Sequence, residues 1–483
     1  FAFGTSIDND EETDREGEHI KKLALIGLCY IFILSNSLWA MDVERMMTTN
    51  FEPFLKKTME GNNVPGFTIG IVKEGKVVYS KAFGTKNLDT GEKLTTHSLF
   101  HQASLTKPFV GTAIMQLIEK GKVNPEDSVI KYLPYFKLKD ERYKTITIRQ
   151  MVTHTSGMPD VQDYEWHNPA YDDGALERYV RSLGNEQLIA APGEKYRYSN
   201  MAFEVLGDLI SKVSGMSFEE YVHKNILAPL KMQHSTLLKR EAASKLMSTP
   251  HVKEGDKTVV SRIYPYNRMH APSSTLISNT ADMCRWALAN LNRGELDGSR
   301  ILKESTYDVM WKPGSKVSAG IGISWKLGKR GRDRIISHAG RDTGYRSFIM
   351  LVPEKSLGIV AATNYDRTPI ENIMEAALTI SLGEEFVPRN ERKAISLDPV
   401  ILREYVGVYE IAPEVMLTIT LEDGRLLTQA AGQPKVEIFP ESETTFFLKV
   451  ADVRMIFEKN DKGEVFQAVI RQGTSDMFAK KVK

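Results

Sequence analysis

Residues 104–121 run SLTKPFVGTAIMQLIEKG. The apolar positions Phe109, Val110, Ala113, Ile114, Leu117 and Ile118 recur at helical spacing, and Lys120-Gly121 supplies a stop. Pro108 is tolerated only in a first turn, where backbone N–H groups lack acceptors inside the helix, so the helix is predicted to begin near Ser104. Ser104 and Lys107 are three residues apart on that turn and share a face, which lets the hydroxyl meet the ammonium. A serine hydroxyl needs a base to act as a nucleophile, and lysine can be that base when burial or positive neighbours lower its pKa. At a helix start the N–H of Ser104 and the positive end of the dipole also favour an oxyanion. Taken alone, the same residues also read as an N-cap serine and a solvated lysine, since about two S-x-x-K spacings arise by chance in a chain this long.

Upstream, residues 67–72 and 77–84 flank Glu74-Gly75 and are predicted to form a β-hairpin. Downstream, residues 125–310 are dominated by helical patterns such as 202–213 and 281–291. Strands return at 320–326, 334–338, 346–352 and 358–363. Strands from both ends of this unit must share a sheet. The expected fold class is therefore α+β, an antiparallel sheet flanked by helices with a helical lobe between its halves. After Arg389 to Lys393 the pattern changes to short strands alone, at 417–421, 425–429, 436–439, 445–450, 454–458 and 465–471. This predicts a small all-β barrel or sandwich over 398–483, separate from a catalytic unit over 41–388.

With 42% hydrophobic and 26% charged residues in a chain of 483, the composition is that of a folded protein of more than one domain. A net charge of +1 without a basic block gives no reason to expect nucleic acid as a partner. Residues 1–20 form an atypical acidic extension, with natural translation expected to start near Ile20. Residues 21–40 have the basic, apolar and small-residue order of a secretory signal, so export to the periplasm or medium is expected, with an uncleaved anchor as the alternative. Of the two cysteines, Cys29 lies in that signal and Cys284 reads as a buried helical thiol. The ten histidines show no metal-ligand spacing, and neither a metal nor a cofactor is expected.

Two more elements carry chemistry. Tyr198-Ser199-Asn200 precedes a helix starting near Met201. There Tyr198 can relay protons into a cleft and Asn200 can offer a donor and an acceptor to an amide substrate. Taken alone, the triplet also reads as a helix cap with a packed tyrosine. His338-Ala339-Gly340 stands at a predicted strand end before Arg341. His338 can donate a hydrogen bond or charge, Gly340 lets substrate approach the backbone, and the Arg341 N–H can complete an oxyanion hole.

In this order and at wide spacing, Ser104-x-x-Lys107, Tyr198-x-Asn200 and His338-x-Gly340 resemble the three motifs of serine β-lactamases and penicillin-binding proteins. His154-Thr155-Ser156-Gly157-Met158-Pro159 is similar to a loop of the branch holding class C β-lactamases, esterases and D-aminopeptidases. The resemblance spans residues 50–385, and Tyr405-Val406-Gly407-Val408-Tyr409 resembles the start of a β-domain often appended to such hydrolases. It implies acylation of Ser104, proton handling by Lys107 and Tyr198, and substrate contacts from Asn200, His338, Gly340 and Arg341. It implies as partner a small or short-peptide acyl donor, a β-lactam or cell-wall peptide among them. Relatives that hydrolyse β-lactams carry Lys-Thr-Gly where this chain has His338-Ala339-Gly340, with Lys326-Leu327-Gly328 as a rival third motif. The histidine form points to an ester, amide or D-amino-acid peptide bond as the target. A true β-lactamase, a D,D-carboxypeptidase and a sensor that stays acylated are the alternatives.

Overall fold

The computed structural model describes residues 42–483, so the expected extension and signal lie outside the described residues. After helix α1 (Glu52–Gly61), strands β1 (Gly66–Lys73) and β2 (Lys76–Gly84) form the expected hairpin. The chain then runs through helices α2 (Lys107–Glu119), α3 (Asn200–Ser214) and α4 (Thr280–Leu291). It returns as β3 (Lys326–Arg330), β4 (Asp333–Asp342), β5 (Tyr345–Val352) and β6 (Leu357–Thr363), followed by helix α5 (Ile370–Ser381). The six strands make one antiparallel sheet in the order β2-β1-β6-β5-β4-β3.

Strand alternation explains the two covered faces. On β5, Phe348, Met350 and Val352 pack with Phe51, Leu55, Ile373 and Ala377 from the terminal helices. Ile349 and Leu351 face the other way, onto Phe109 and Trp286, whose rings stack with centroids 4.0 Å apart. Each such side chain fully removed from water contributes about 1.5–3 kcal/mol before entropy is counted. Gly70 lets α4 lie against β1, because a Cβ there would come within 2.4 Å of Cys284 Sγ. Cys284 is fully buried and its thiol is pushed up to about 12 by burial, which keeps it protonated and unreactive.

Two sequence expectations need correction. Residues 320–325 do not form a strand. Ser324 takes φ of 60°, a left-handed conformation incompatible with an extended run, and pairing along the edge strand begins only at Lys326. His338 does not end its strand either, since β4 continues to Asp342 and only Thr343-Gly344 turns the chain. The β3 ladder, however, stops at Ser337 paired with Lys326, so residues 338–342 keep one edge without a strand neighbour.

The C-terminal strands are β7 (Gly407–Ala412), β8 (Val415–Glu422), β9 (Arg425–Ala430), β10 (Val436–Pro440), β11 (Thr445–Leu448), β12 (Arg454–Lys459), β13 (Val465–Gln472) and β14 (Ser475–Lys481). They close into a barrel, with Tyr409 of β7 opposite Lys481 of β14. Its interior is filled by Tyr405, Tyr409, Phe446 and Phe457. Closure decides between the expected barrel and sandwich, and it adds two strands, β7 and β14, that the sequence pattern missed. The barrel docks on the sheet edge next to β3, where Asp476 Oδ2 accepts the Gly331 N–H at 2.8 Å. Among the described residues no helix is long and apolar enough to cross a membrane.

Candidate active site

Ser104 lies in a 3₁₀ turn, Ala103–Thr106, that runs directly into α2 with Pro108 in the helix's first turn. Ala103 takes φ of 48°, a conformation that costs a non-glycine residue on the order of 1 kcal/mol. That strain turns the chain sharply before Ser104, which remains partly exposed while Ala103 and Leu105 are buried. Gly340 on β4 makes the turn's position possible, because a Cβ there would come within 2.3 Å of Gln102 O and of Ser347 Oγ. The close approach needing glycine is therefore between β4 and the Ser104 turn, in addition to any approach by substrate.

Lys107 is fully buried and donates three hydrogen bonds, to Ser104 Oγ at 3.0 Å, Asn200 Oδ1 at 2.5 Å and Ser273 O at 2.8 Å. Burial pulls its pKa down to about 8, against the opposing charges of Glu204, Asp160 and Asp342. Tyr198 donates its phenol to the same Ser104 Oγ at 2.9 Å. Burial raises the tyrosine's pKa and the Ser104 contact partly offsets it, so the phenol stays protonated near neutrality. Lys107, Tyr198 and Ser104 thus form one hydrogen-bonded group.

Asn200 is held from both ends. Its backbone N–H and its Nδ2 donate to Asp160 Oδ1 at 2.8 and 2.9 Å. Because a carboxylate only accepts, this fixes the amide with Oδ1 toward Lys107. The sequence reading offered both ends of this amide to substrate, whereas the structure commits one to Lys107 and the other to Asp160. The helix cap is Ser199, whose Oγ accepts from Ala202 N at 3.1 Å. Tyr198 is steadied by His154, whose ring stacks on it at 4.2 Å and whose Nδ1 accepts the Ser199 N–H at 3.2 Å. Burial holds His154 well below its ordinary pKa, hence neutral.

His338 is buried on β4, and its Nδ1 meets the Ala339 carbonyl at 2.9 Å. A carbonyl only accepts, so the ring proton is on Nδ1 and Nε2 is an acceptor. Burial, then the charges of Lys107 and Lys326, lower its pKa to about 3. The expected donation of a hydrogen bond or charge from His338 is therefore replaced by a neutral acceptor. Arg341 is exposed on the unpaired edge of β4. Lys326, of the rival motif, is exposed on β3 opposite Ser337.

Three residues that sequence reading did not single out support this group. Asp160 orients Asn200 as described. Glu204, one helical turn after Asn200, accepts from Ser273 Oγ at 2.5 Å and contacts His270 Nδ1 at 3.1 Å, fixing the segment whose carbonyl holds Lys107. Asp342 Oδ2 meets His101 Nε2 at 2.6 Å and accepts from Ser274 Oγ. Their only sequence signal is nearness to a motif, as Asp160 follows Pro159 and Asp342 closes the His338 strand. No group of three or more His, Cys, Asp or Glu among the described residues is placed to hold a metal ion.

An antiparallel sheet covered by helices, a helical lobe, and a serine, lysine and tyrosine meeting between them define the β-lactamase and transpeptidase fold. The Beta-lactamase family model matches residues 51–382, and the chain belongs to that family. Its members are typically serine hydrolases of small substrates. A domain of unknown function, DUF3471, matches residues 391–481 and so covers the barrel. Penicillin-binding protein 4* of Bacillus subtilis (strain 168) is 30% identical over 413 residues, 81% of this chain and 89% of that protein. Protein flp of Staphylococcus aureus (strain MW2) is 28% identical over 382 residues, 79% of this chain and 73% of that one. Among solved structures, the octameric penicillin-binding protein homologue from Pyrococcus abyssi has a TM-score of 0.63 at 24% identity, covering 90% of this chain and all (100%) of that one. SurE has a TM-score of 0.59 at 18% identity, covering 92% and 100%. At these identities the two structures speak for the fold.

Proposed function

We propose that this protein is an exported serine hydrolase that forms an acyl-enzyme on Ser104 and hydrolyses an ester, amide or D-amino-acid peptide bond. The observation carrying the proposal is that Ser104 Oγ is hydrogen-bonded at once to Lys107 Nζ and Tyr198 OH. Two of the three Lys107 partners, Asn200 Oδ1 and Ser273 O, can only accept. When Lys107 loses a proton, its two remaining usable N–H bonds stay with those carbonyls, and the lone pair faces Ser104. Lys107 is then the base that takes the Ser104 proton as Oγ bonds to the substrate carbonyl carbon. The oxyanion is held by the N–H groups of Ser104 and Arg341, each donor worth about 3–4 kcal/mol in the transition state. Tyr198 passes a proton to the leaving group and is reprotonated from Lys107. Water then attacks the acyl carbon by the reverse relay and frees Ser104.

The neutral His338 supports donors without an obligatory carboxylate beside the scissile bond, since a buried acceptor offers an anion no attraction. A p-nitrophenyl ester tests the proposal by burst kinetics. The expected record is a burst of one equivalent followed by steady turnover, with both lost in Ser104→Ala. Retained turnover in that variant refutes the nucleophile, and a burst without turnover refutes hydrolysis in favour of a sensor.

A further inference from the structure

Between the sheet unit and the barrel lies a cavity of about 620 Å³, walled by Phe54 of α1, Glu375 of α5, Arg389 and Arg392 of the connecting segment, and Phe447 and Asp452 of the barrel. It shares no residue with the Ser104 site. Arg392 has a side chain only 2% exposed, and its Nη2 pairs with Asp452 Oδ1 at 2.8 Å. Its Nε and Nη1 have no partner. Glu375 is buried at 6% exposure on an otherwise apolar stretch of α5, and its carboxyl receives no hydrogen bond. Burial, with Asp452 adding to it, raises the Glu375 pKa to about 7.

Leaving a buried polar group without a partner is costly, and native structures keep few such groups. If Glu375 and Arg392 served only stability, direct pairing would satisfy both, yet they face one cavity without meeting. Groups of opposite charge held apart in this way suit a molecule carrying an acceptor at one end and a donor at the other. The rings of Phe54 and Phe447 offer its apolar body a surface, and the volume falls within the roughly 300–1,000 Å³ of small-ligand sites. We propose that this cavity binds a small zwitterion of the α-amino-acid class with an apolar side chain, its carboxylate on Arg392 and Arg389 and its ammonium on Glu375.

Calorimetric titration of the full chain with D- and L-phenylalanine, 3-phenylpropionate and phenethylamine tests this. At least one enantiomer of phenylalanine is expected to bind one site per chain, with each singly charged analogue weaker by about tenfold or more. Glu375→Gln is expected to weaken phenylalanine by about tenfold and leave 3-phenylpropionate unchanged. Arg389→Gln, on the exposed connecting segment, weakens both carboxylates and leaves phenethylamine unchanged, and it decides the matter if the Glu375 variant does not fold. The proposal is overturned by no binding of either enantiomer at about 10 mM, which leaves ordered water as the partner of these groups. It is also overturned by affinities equal in wild type and both variants, or by binding that disappears when Ser104 is acylated.

Discussion

The protonation state of Lys107 sets a pH dependence that can be worked out in advance. With a pKa of about 8, the amine is neutral in roughly a tenth of molecules at pH 7, half at pH 8 and nine-tenths at pH 9. If neutral Lys107 is the base, kcat/KM for a p-nitrophenyl ester rises about tenfold from pH 7 to 9, with its half-rise near 8. The same shift has a stability counterpart. A lysine whose folded pKa lies below its unfolded value of about 10.4 binds fewer protons folded than unfolded between those values, so stability rises with pH across that window. For a fully buried lysine moved from 10.5 to about 8, the effect is on the order of 3 kcal/mol. It is read as the difference between wild type and Lys107→Met in urea melts at pH 7.5 and 10.5. Stopped-flow acylation from pH 6 to 10 gives the kinetic side. A flat profile, or a half-rise near 6.5 that vanishes in His338→Ala, refutes the assignment, because His338 is already neutral above about 3.

Tyr198→Phe removes the phenol bonded to Ser104, the leaving-group proton donor of the proposed relay, while keeping the ring stacked on His154. Hydrolysis of an anilide is expected to fall about 10²–10⁴-fold. A p-nitrophenyl ester, whose leaving group departs as an anion, falls much less, and equal losses on both substrates contradict the relay. Asp160→Asn removes one of the charges that hold the Lys107 pKa up, so the kinetic half-rise moves below 8. It also frees the Asn200 amide to rotate, and kcat falls. An unmoved half-rise measured by the same pH series assigns Asp160 a packing role instead.

How much of this was legible in the sequence follows from which interactions are local. The helix after Ser104, the hairpin before it and the cap region at Tyr198 depend on spacing within one element, and they stand where periodicity and breaker residues put them. The 320–325 stretch misled because its apolar residues Ile321, Ile323 and Trp325 alternate as in a strand while packing as a loop. β7 and β14 were missed because neither alternates cleanly: β7 pairs with β8 through a register shift between Glu410 and Ala412, only Tyr409 along it is buried, and Asp476 and Lys480 blur the alternation of β14. In the site, Ser104, Lys107 and Tyr198 could be named because their motifs are local. Asp160, Glu204 and Asp342 act by reaching across the fold to hold something else, and no spacing in the chain encodes that.

The charge balance around Lys107 links residue 338 to both catalysis and selectivity. Burial drives the lysine down and three carboxylates draw it back, so about 8 is a compromise that any further buried charge shifts. His154 and His338 flank the site without adding to that sum because both are neutral. A lysine in place of His338 would add positive charge on the same strand, pushing Lys107 lower and its neutral fraction at pH 7 higher, while attracting substrates that carry a carboxylate. Base strength and anion recognition are thus coupled through one strand position. With a neutral ring there, Lys107 keeps a higher pKa and the cleft loses a fixed attraction for anions, and under the proposed mechanism both consequences favour uncharged acyl donors at mildly alkaline pH.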